Sequence, residues 1–160
     1  MPHFPAGHPT PEALHQYLSP SCPLPRTRIL SPHSTPRACP SQGKVVAIYF
    51  SATWCAPCKA FTPQLIALHE SLRAQGKEFE VVFVSLDRTP EAFDQYFGSM
   101  PWLAVPFDHA EDRARLGQQL AVDSIPKLVV LDQEGGILTT NGRELVASDP
   151  DGAKFPWSAP

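Results

Sequence analysis

The chain has 160 residues, 42% of them hydrophobic, which suits one domain with a single core. Its net charge of −3 excludes a general affinity for nucleic acid or anionic membrane, and no apolar run approaches the roughly 20 residues of a membrane span. Four cysteines are too few for a disulfide-stapled scaffold, so a reducing compartment is expected, the cytoplasm first and the nucleus second.

Residues 1–43 hold ten of the 19 prolines, with many Ser and His. Pro9–Leu18 suits one short helix, with Thr10 as N-cap and Pro11 at the first position. Thr27–Leu30 suits one short strand. The rest lacks the apolar content to offset ordering and is expected to be disordered. Three Arg against one Glu is faintly transit-like, but the prolines oppose the amphipathic helix of a transit peptide. No charged segment precedes an apolar one, so a secretory signal is not expected. The composition changes abruptly near Gly43, and residues 44–160 are expected to form the folded domain.

Lys44–Ser51 is a continuous apolar strand, which places it centrally in a sheet. Pro57–Gln75 reads as a helix with Pro63 as a kink point and Gly76 as its stop. Phe79–Leu86 is a second buried strand. Thr89 caps a helix that begins at Pro90 and runs to about Phe97. Ala110–Leu120 is a third helix. Lys127–Leu131 is a strand, Glu134-Gly135-Gly136 a turn, and Ile137–Thr140 the strand paired back to it. Arg143–Ala147 starts a last helix. Residues 148–160 read as a polar tail with one anchor, Phe155-Pro156-Trp157. This order implies an α/β fold with a mixed sheet and helices on both faces.

The chemistry lies in Trp54-Cys55-Ala56-Pro57-Cys58-Lys59, where the first strand turns into the first helix. A helix N-terminus favours a thiolate, the reactive form of cysteine. Two bland readings compete: buried structural cysteines, or half of a zinc site. A structural zinc site needs four ligands. Cys22 and Cys39 are separated by sixteen residues in the proline-rich segment, and no second Cys-x-x-Cys or His-x-x-x-His occurs. Redox chemistry is therefore the reading adopted, with no metal. Cys55, nearer the helix start, is the expected nucleophile. Cys58, one turn in, is the expected resolving thiol, and Pro57 stiffens the loop.

Phe50-Ser51-Ala52-Thr53-Trp54-Cys55-Ala56-Pro57-Cys58-Lys59 resembles the active-site segment of nucleoredoxins and tryparedoxins, a branch of the thioredoxin superfamily. Met100-Pro101-Trp102-Leu103-Ala104-Val105-Pro106-Phe107 is similar to a second signature of that branch, as are Ser124-Ile125-Pro126 and Phe155-Pro156-Trp157. The resemblance covers residues 43 to 157. It implies a thioredoxin fold, protein-disulfide reductase activity and a cis Pro126 packed against the active-site pair. A cis bond there exposes the backbone of Ile125 to an extended substrate peptide. The sequence also departs from the wider superfamily. Tyr49 stands six residues before Cys55, where many thioredoxins carry a buried acid, and Lys127 follows Pro126, where Thr is frequent.

Among other candidates, Trp54 and Trp102 are expected to line the docking surface. His69 is expected at a partly exposed helix position, His109 in a loop, and Asp108, Glu111 and Asp112 at a solvated helix start. No G-x-G-x-x-G or phosphate loop occurs, so no cofactor is expected. The functional expectation is a protein-disulfide reductase acting on protein disulfides and recharged by an external thiol or reductase. The alternative is a redox-sensitive binding module that switches a partner protein without turnover. Partners among nucleic acids or membranes are not expected.

Overall fold

The computed structural model describes residues 44–133 and 136–157. The expected helix at Pro9–Leu18, the strand at Thr27–Leu30, the thiols Cys22 and Cys39, and Glu134 and Gly135 of the turn lie outside the described residues.

Strand β1 (Val45–Ser51) is buried along its whole length. Successive side chains of a strand point to opposite faces. Val45, Ala47 and Tyr49 therefore enter one core, and Val46, Ile48 and Phe50 enter another. Helix α1 (Ala56–Ala74) lies over the first core, burying Phe61, Leu65, Leu68 and Leu72, a stripe at helical spacing. The helix continues through Pro63, which sits on its exposed side. It ends in a Schellman arrangement: Lys77 N–H donates to Leu72 O at 2.9 Å and Gly76 N–H to Arg73 O at 3.0 Å, with Gly76 at φ +68°. That left-handed turn is the reason for glycine at 76.

Strand β2 (Phe79–Ser85) pairs parallel to β1, and Leu86, expected within it, is exposed. Helix α2 (Pro90–Phe97) begins as its sequence dictates, Thr89 Oγ1 accepting from Ala92 N–H. Strand β3 (Leu103–Ala104) pairs parallel to β2. Two residues are too few to show a strand period, so the sequence did not reveal it. Helix α3 (Ala110–Gln119) covers the second core with Leu116, and Leu120 just beyond it joins the same cluster. Strands β4 (Lys127–Leu131) and β5 (Ile137–Thr139) are antiparallel, and β4 also runs antiparallel to β1. Helix α4 (Gly142–Ser148) adds Val146 to the first core. The sheet order β3-β2-β1-β4-β5, with helices on both faces, is a thioredoxin fold with β1 at its centre.

Two expectations need correction. His69 is buried, with its ring 5.6 Å from Trp102 and 6.2 Å from Phe79. Trp102 is likewise a core residue rather than part of a docking surface. Met100 and Trp102 belong to the first core together with the Leu65–Leu72 stripe of α1, and the Trp102 ring packs edge-on against His69 on that helix.

The expected polar tail is a packed clasp, anchored as expected at Phe155 and Trp157. Their rings pack on Phe79 at 6.2 and 5.6 Å. Asp149, also buried, accepts from Ala153 N–H (2.8 Å), Lys154 N–H (2.9 Å) and Trp157 Nε1–H (2.8 Å). Lys77 Nζ donates to Gly152 O at 2.7 Å, tying the clasp to the end of α1.

The clasp and His69 each set an acid limit. Burial opposes ionisation of Asp149, but the bonds from Trp157, Lys154 and Ala153 outweigh it and hold the carboxyl below its usual range. Its contribution is therefore present above the ordinary carboxylate pKa of about 4 and is lost as pH falls through the lower folded value. Asp149→Asn should cost about 2 kcal/mol at neutral pH, and its stability should vary less below about pH 4 than the wild type's. Urea unfolding across pH checks this. Burial, then the charge of Arg73, lowers the His69 pKa. The neutral ring thus belongs to the folded state, and its contribution is lost as pH falls below about 6.5. Thermal melts of His69→Leu should decline less between neutral and mildly acid pH than those of the wild type. Parallel curves would show that His69 does not titrate on unfolding.

Candidate active site

The loop between β1 and α1 is held from below. Asp87, at the end of β2 and buried, accepts from Thr53 N–H (2.8 Å) and Thr53 Oγ1–H (2.6 Å) on one oxygen and from Ser85 Oγ–H (2.8 Å) on the other. This fixes the backbone two residues before Cys55. Cys55 is the N-cap of α1: its backbone is extended and its Sγ accepts from Cys58 N–H at 3.3 Å. Cys55 and Cys58 form a disulfide, with Cα atoms 5.2 Å apart. Cys58 is fully buried, whereas Cys55 keeps 6% exposure, so an incoming group meets Cys55 first.

Pro57 lies in the first turn of α1. It lacks an N–H where the helix offers no partner for one, and so fits without cost. Trp54 is 60% exposed beside the disulfide, unusual for so large an apolar side chain. It borders a groove of about 340 Å³ together with Thr53, Asp87, Arg88, Thr89 and Ala92. From the other side, Ile125 O comes within 3.8 Å of Cys55 Sγ. That sulfur carries a proton to donate only in the reduced form. The Ile125–Pro126 peptide bond is cis, Pro126 is buried and Ile125 partly exposed. Lys127 follows as the first residue of β4, opposite Phe50 of β1.

Under the disulfide lies a layer of uncharged hydroxyls. Tyr49 Oη lies 2.8 Å from Thr62 Oγ1, which lies 2.7 Å from Tyr96 Oη, and that in turn is 2.9 Å from Ser51 Oγ. Burial, offset in part by the hydrogen bonds of Ser51 and Thr62, pushes the Tyr49 pKa well up, so its hydroxyl stays protonated.

The structure brings Cys55, Cys58, Trp54, Pro57, Ile125 and Pro126 to one place, and Trp102 to another. It also adds residues that sequence reasoning missed: Asp87, Ser85, Ser51, Thr62 and Tyr96. One signal was present, since Ser51, Ser85 and Asp87 are polar residues at or just past the ends of apolar strands. Among the described residues, no cluster of His, Cys, Asp or Glu is arranged to hold a metal ion. No helix among them is long and apolar enough to cross a membrane.

The thioredoxin-like family model matches residues 43–137. Nucleoredoxin of Danio rerio is 45% identical over 116 residues, which are 72% of this chain and 28% of that protein. The chain thus spans less than a third of the nucleoredoxins of this length that it matches. Tryparedoxin of Trypanosoma brucei brucei is 47% identical over 116 residues, 72% of this chain and 80% of the relative. In structure, tryparedoxin from Trypanosoma brucei superposes with a TM-score of 0.72 at 39% identity, covering 91% of this chain and 99% of that one. Tryparedoxin II complexed with glutathionylspermidine gives 0.70 at 41% identity, covering 82% and 92%. With its strand order, its Cys-x-x-Cys at the head of α1 and these matches, the chain belongs to the thioredoxin-like family, on the branch of the nucleoredoxins and tryparedoxins.

Proposed function

We propose that the protein is a thiol–disulfide oxidoreductase that reduces disulfides in other proteins. The observation that carries this reading is the Cys55–Cys58 disulfide at the N-terminus of α1, with Cys55 the less buried of the two residues. In the dithiol form, the Cys55 thiolate attacks one sulfur of the substrate disulfide. The other substrate sulfur leaves as a thiolate, and a mixed disulfide joins substrate to Cys55. Cys58 then attacks Cys55 Sγ, and the second substrate sulfur leaves. The product is the Cys55–Cys58 disulfide and a substrate dithiol. Two electrons have passed to the substrate, so an external thiol or a reductase must restore the dithiol.

The surroundings support an extended peptide as substrate. Trp54, Ile125 and the backbone beside Pro126 make an open, partly apolar rim, whereas a compact ligand prefers a concave pocket. A tryparedoxin solved with glutathionylspermidine supports a low-molecular-mass thiol as one class of donor. Lys127 adds a positive charge beside the rim, which suits acidic sequence next to the target disulfide. A reducing compartment, the cytoplasm or the nucleus, fits this chemistry.

With insulin as substrate and dithiothreitol as donor, the full chain should turn over, and NADPH alone should support none. Cys55→Ser should lose activity by at least about a hundredfold, and Cys58→Ser should accumulate mixed disulfides. Redox-dependent capture of a partner without turnover would instead favour a binding switch. Faster alkylation of Cys58 than of Cys55 in the reduced protein would reverse the two roles. Separately, Lys127→Thr should weaken the preference for acidic over basic peptide disulfides by about two- to fivefold at low salt, and added salt should weaken it in the wild type. An unchanged preference refutes the role of Lys127.

A further inference from the structure

The buried hydroxyls converge on the carbonyl oxygen of Cys58, and Tyr49 Oη also comes within 3.4 Å of it. Thr62 Oγ1 donates to the carbonyl oxygen of Cys58 at 2.9 Å. A hydroxyl has a single proton, so with that bond made Thr62 accepts from both Tyr49 (2.8 Å) and Tyr96 (2.7 Å). Where Tyr49 donates to the Cys58 carbonyl instead, Thr62 donates to Tyr49 and the line reaches the same oxygen through it. Tyr96 has then used its own proton and must accept from Ser51 at 2.9 Å. Donation therefore runs from Ser51 to Tyr96 to Thr62 to Cys58. The same peptide group carries it one step further, because the N–H bonded to the Cys58 carbonyl belongs to Lys59 and donates to Cys55 O at 3.2 Å. The last two dipoles of this line, the Thr62 hydroxyl and the Cys58–Lys59 peptide, have their positive ends toward the N-terminus of α1.

We propose that Ser51, Tyr96, Thr62 and Tyr49 are positioning residues that act through the Cys58–Lys59 peptide to favour the dithiol, thiolate-bearing form of the Cys55–Cys58 couple over the disulfide. Aligned dipoles favour negative charge at the end they point to, and hydrogen bonds in a line strengthen one another. All four residues are buried, so water screens them little. The raised pKa of Tyr49 agrees, because a phenolate in the line would reverse its sense. A mere clamp between α1 and α2 would need the Thr62–Tyr96 bond alone. It would not require a continuous line from Ser51 to the active-site peptide.

The inference rests on the reading of Cys55 and Cys58 as an exchanging couple. The equilibrium concerned is balanced. The disulfide and two glutathione thiols give a Cys55 thiolate, a Cys58 thiol, one glutathione disulfide and one proton released to water.

The test equilibrates the full-length protein with fixed ratios of reduced to oxidised glutathione and measures the fraction of dithiol. Thr62→Val and Tyr96→Phe keep the packing and break the line. Each should move the equilibrium toward the disulfide, by roughly three- to tenfold, and should slow alkylation of reduced Cys55 at neutral pH. Thr62→Ser should restore the wild-type ratio. Tyr96→Phe, one step further from the cysteines in the line, serves if Thr62→Val does not fold. A lower melting temperature with an unmoved ratio would overturn the proposal, as would a shift toward the dithiol. Insulin turnover by the wild type tests the oxidoreductase reading separately. A shifted ratio without turnover upholds the dipole line and rejects that reading, and turnover with an unmoved ratio does the reverse.

Discussion

The sulfur of Cys55 caps the helix whose N-terminus activates it. A helix leaves its first N–H groups without internal partners, and a side chain must meet one of them. Ser, Thr, Asp or Asn usually does so. Here Cys58 N–H points at Cys55 Sγ. The cap is also one sulfur of the disulfide, so the start of α1 and the reactive atom cannot be altered independently. The rest of the domain keeps this junction in place. Asp87 holds the loop before it, Ile125 and Pro126 close its far side, and the clasp secures the other end of α1.

Position in the sheet explains why the junction is rigid. β1 is flanked by β2 and β4 and packed on both faces, so its C-terminal end can hardly move. β4 reaches the same end from the opposite direction, its first residue Lys127 facing Phe50. The loop before β4 is thus delivered beside the loop after β1. Residues 70 positions apart in the chain, Cys55 and Ile125, meet as a consequence of one antiparallel pairing.

Most of this arrangement was legible in the sequence, for identifiable reasons. β1 and β2 are apolar runs bounded by polar residues, and α2 carries a Thr-Pro start that leaves little choice. The redox pair has a spacing and context with few other uses. What stayed hidden depended on distant partners. β3 is a strand only because Phe83 and its neighbours offer it an edge. His69 looked like a surface residue until Trp102, more than thirty positions later in the sequence, closed over it. The role of Asp149 required knowing that Trp157 turns back toward it. Tyr49 was noticed as a departure from the superfamily, but Thr62 and Tyr96, which give it a context, carry no local signal.

Tyr49 has one more consequence. A carboxylate under a pair of cysteines gains and loses a proton within the range of acidities that proteins meet, so the thiols above it feel a charge that comes and goes. Protonated phenol and aliphatic alcohol groups do not change charge there. The hydroxyl layer under the cysteines is therefore constant. Mild acidification leaves it unaltered, and dissolved ions have no net charge in it to shield. Any response of the disulfide to its surroundings must then arise outside this layer, where Asp87 under the loop and Lys127 beside the rim are the charged neighbours already described. In engineering terms the hydroxyl layer is a fixed reference beneath a variable surface.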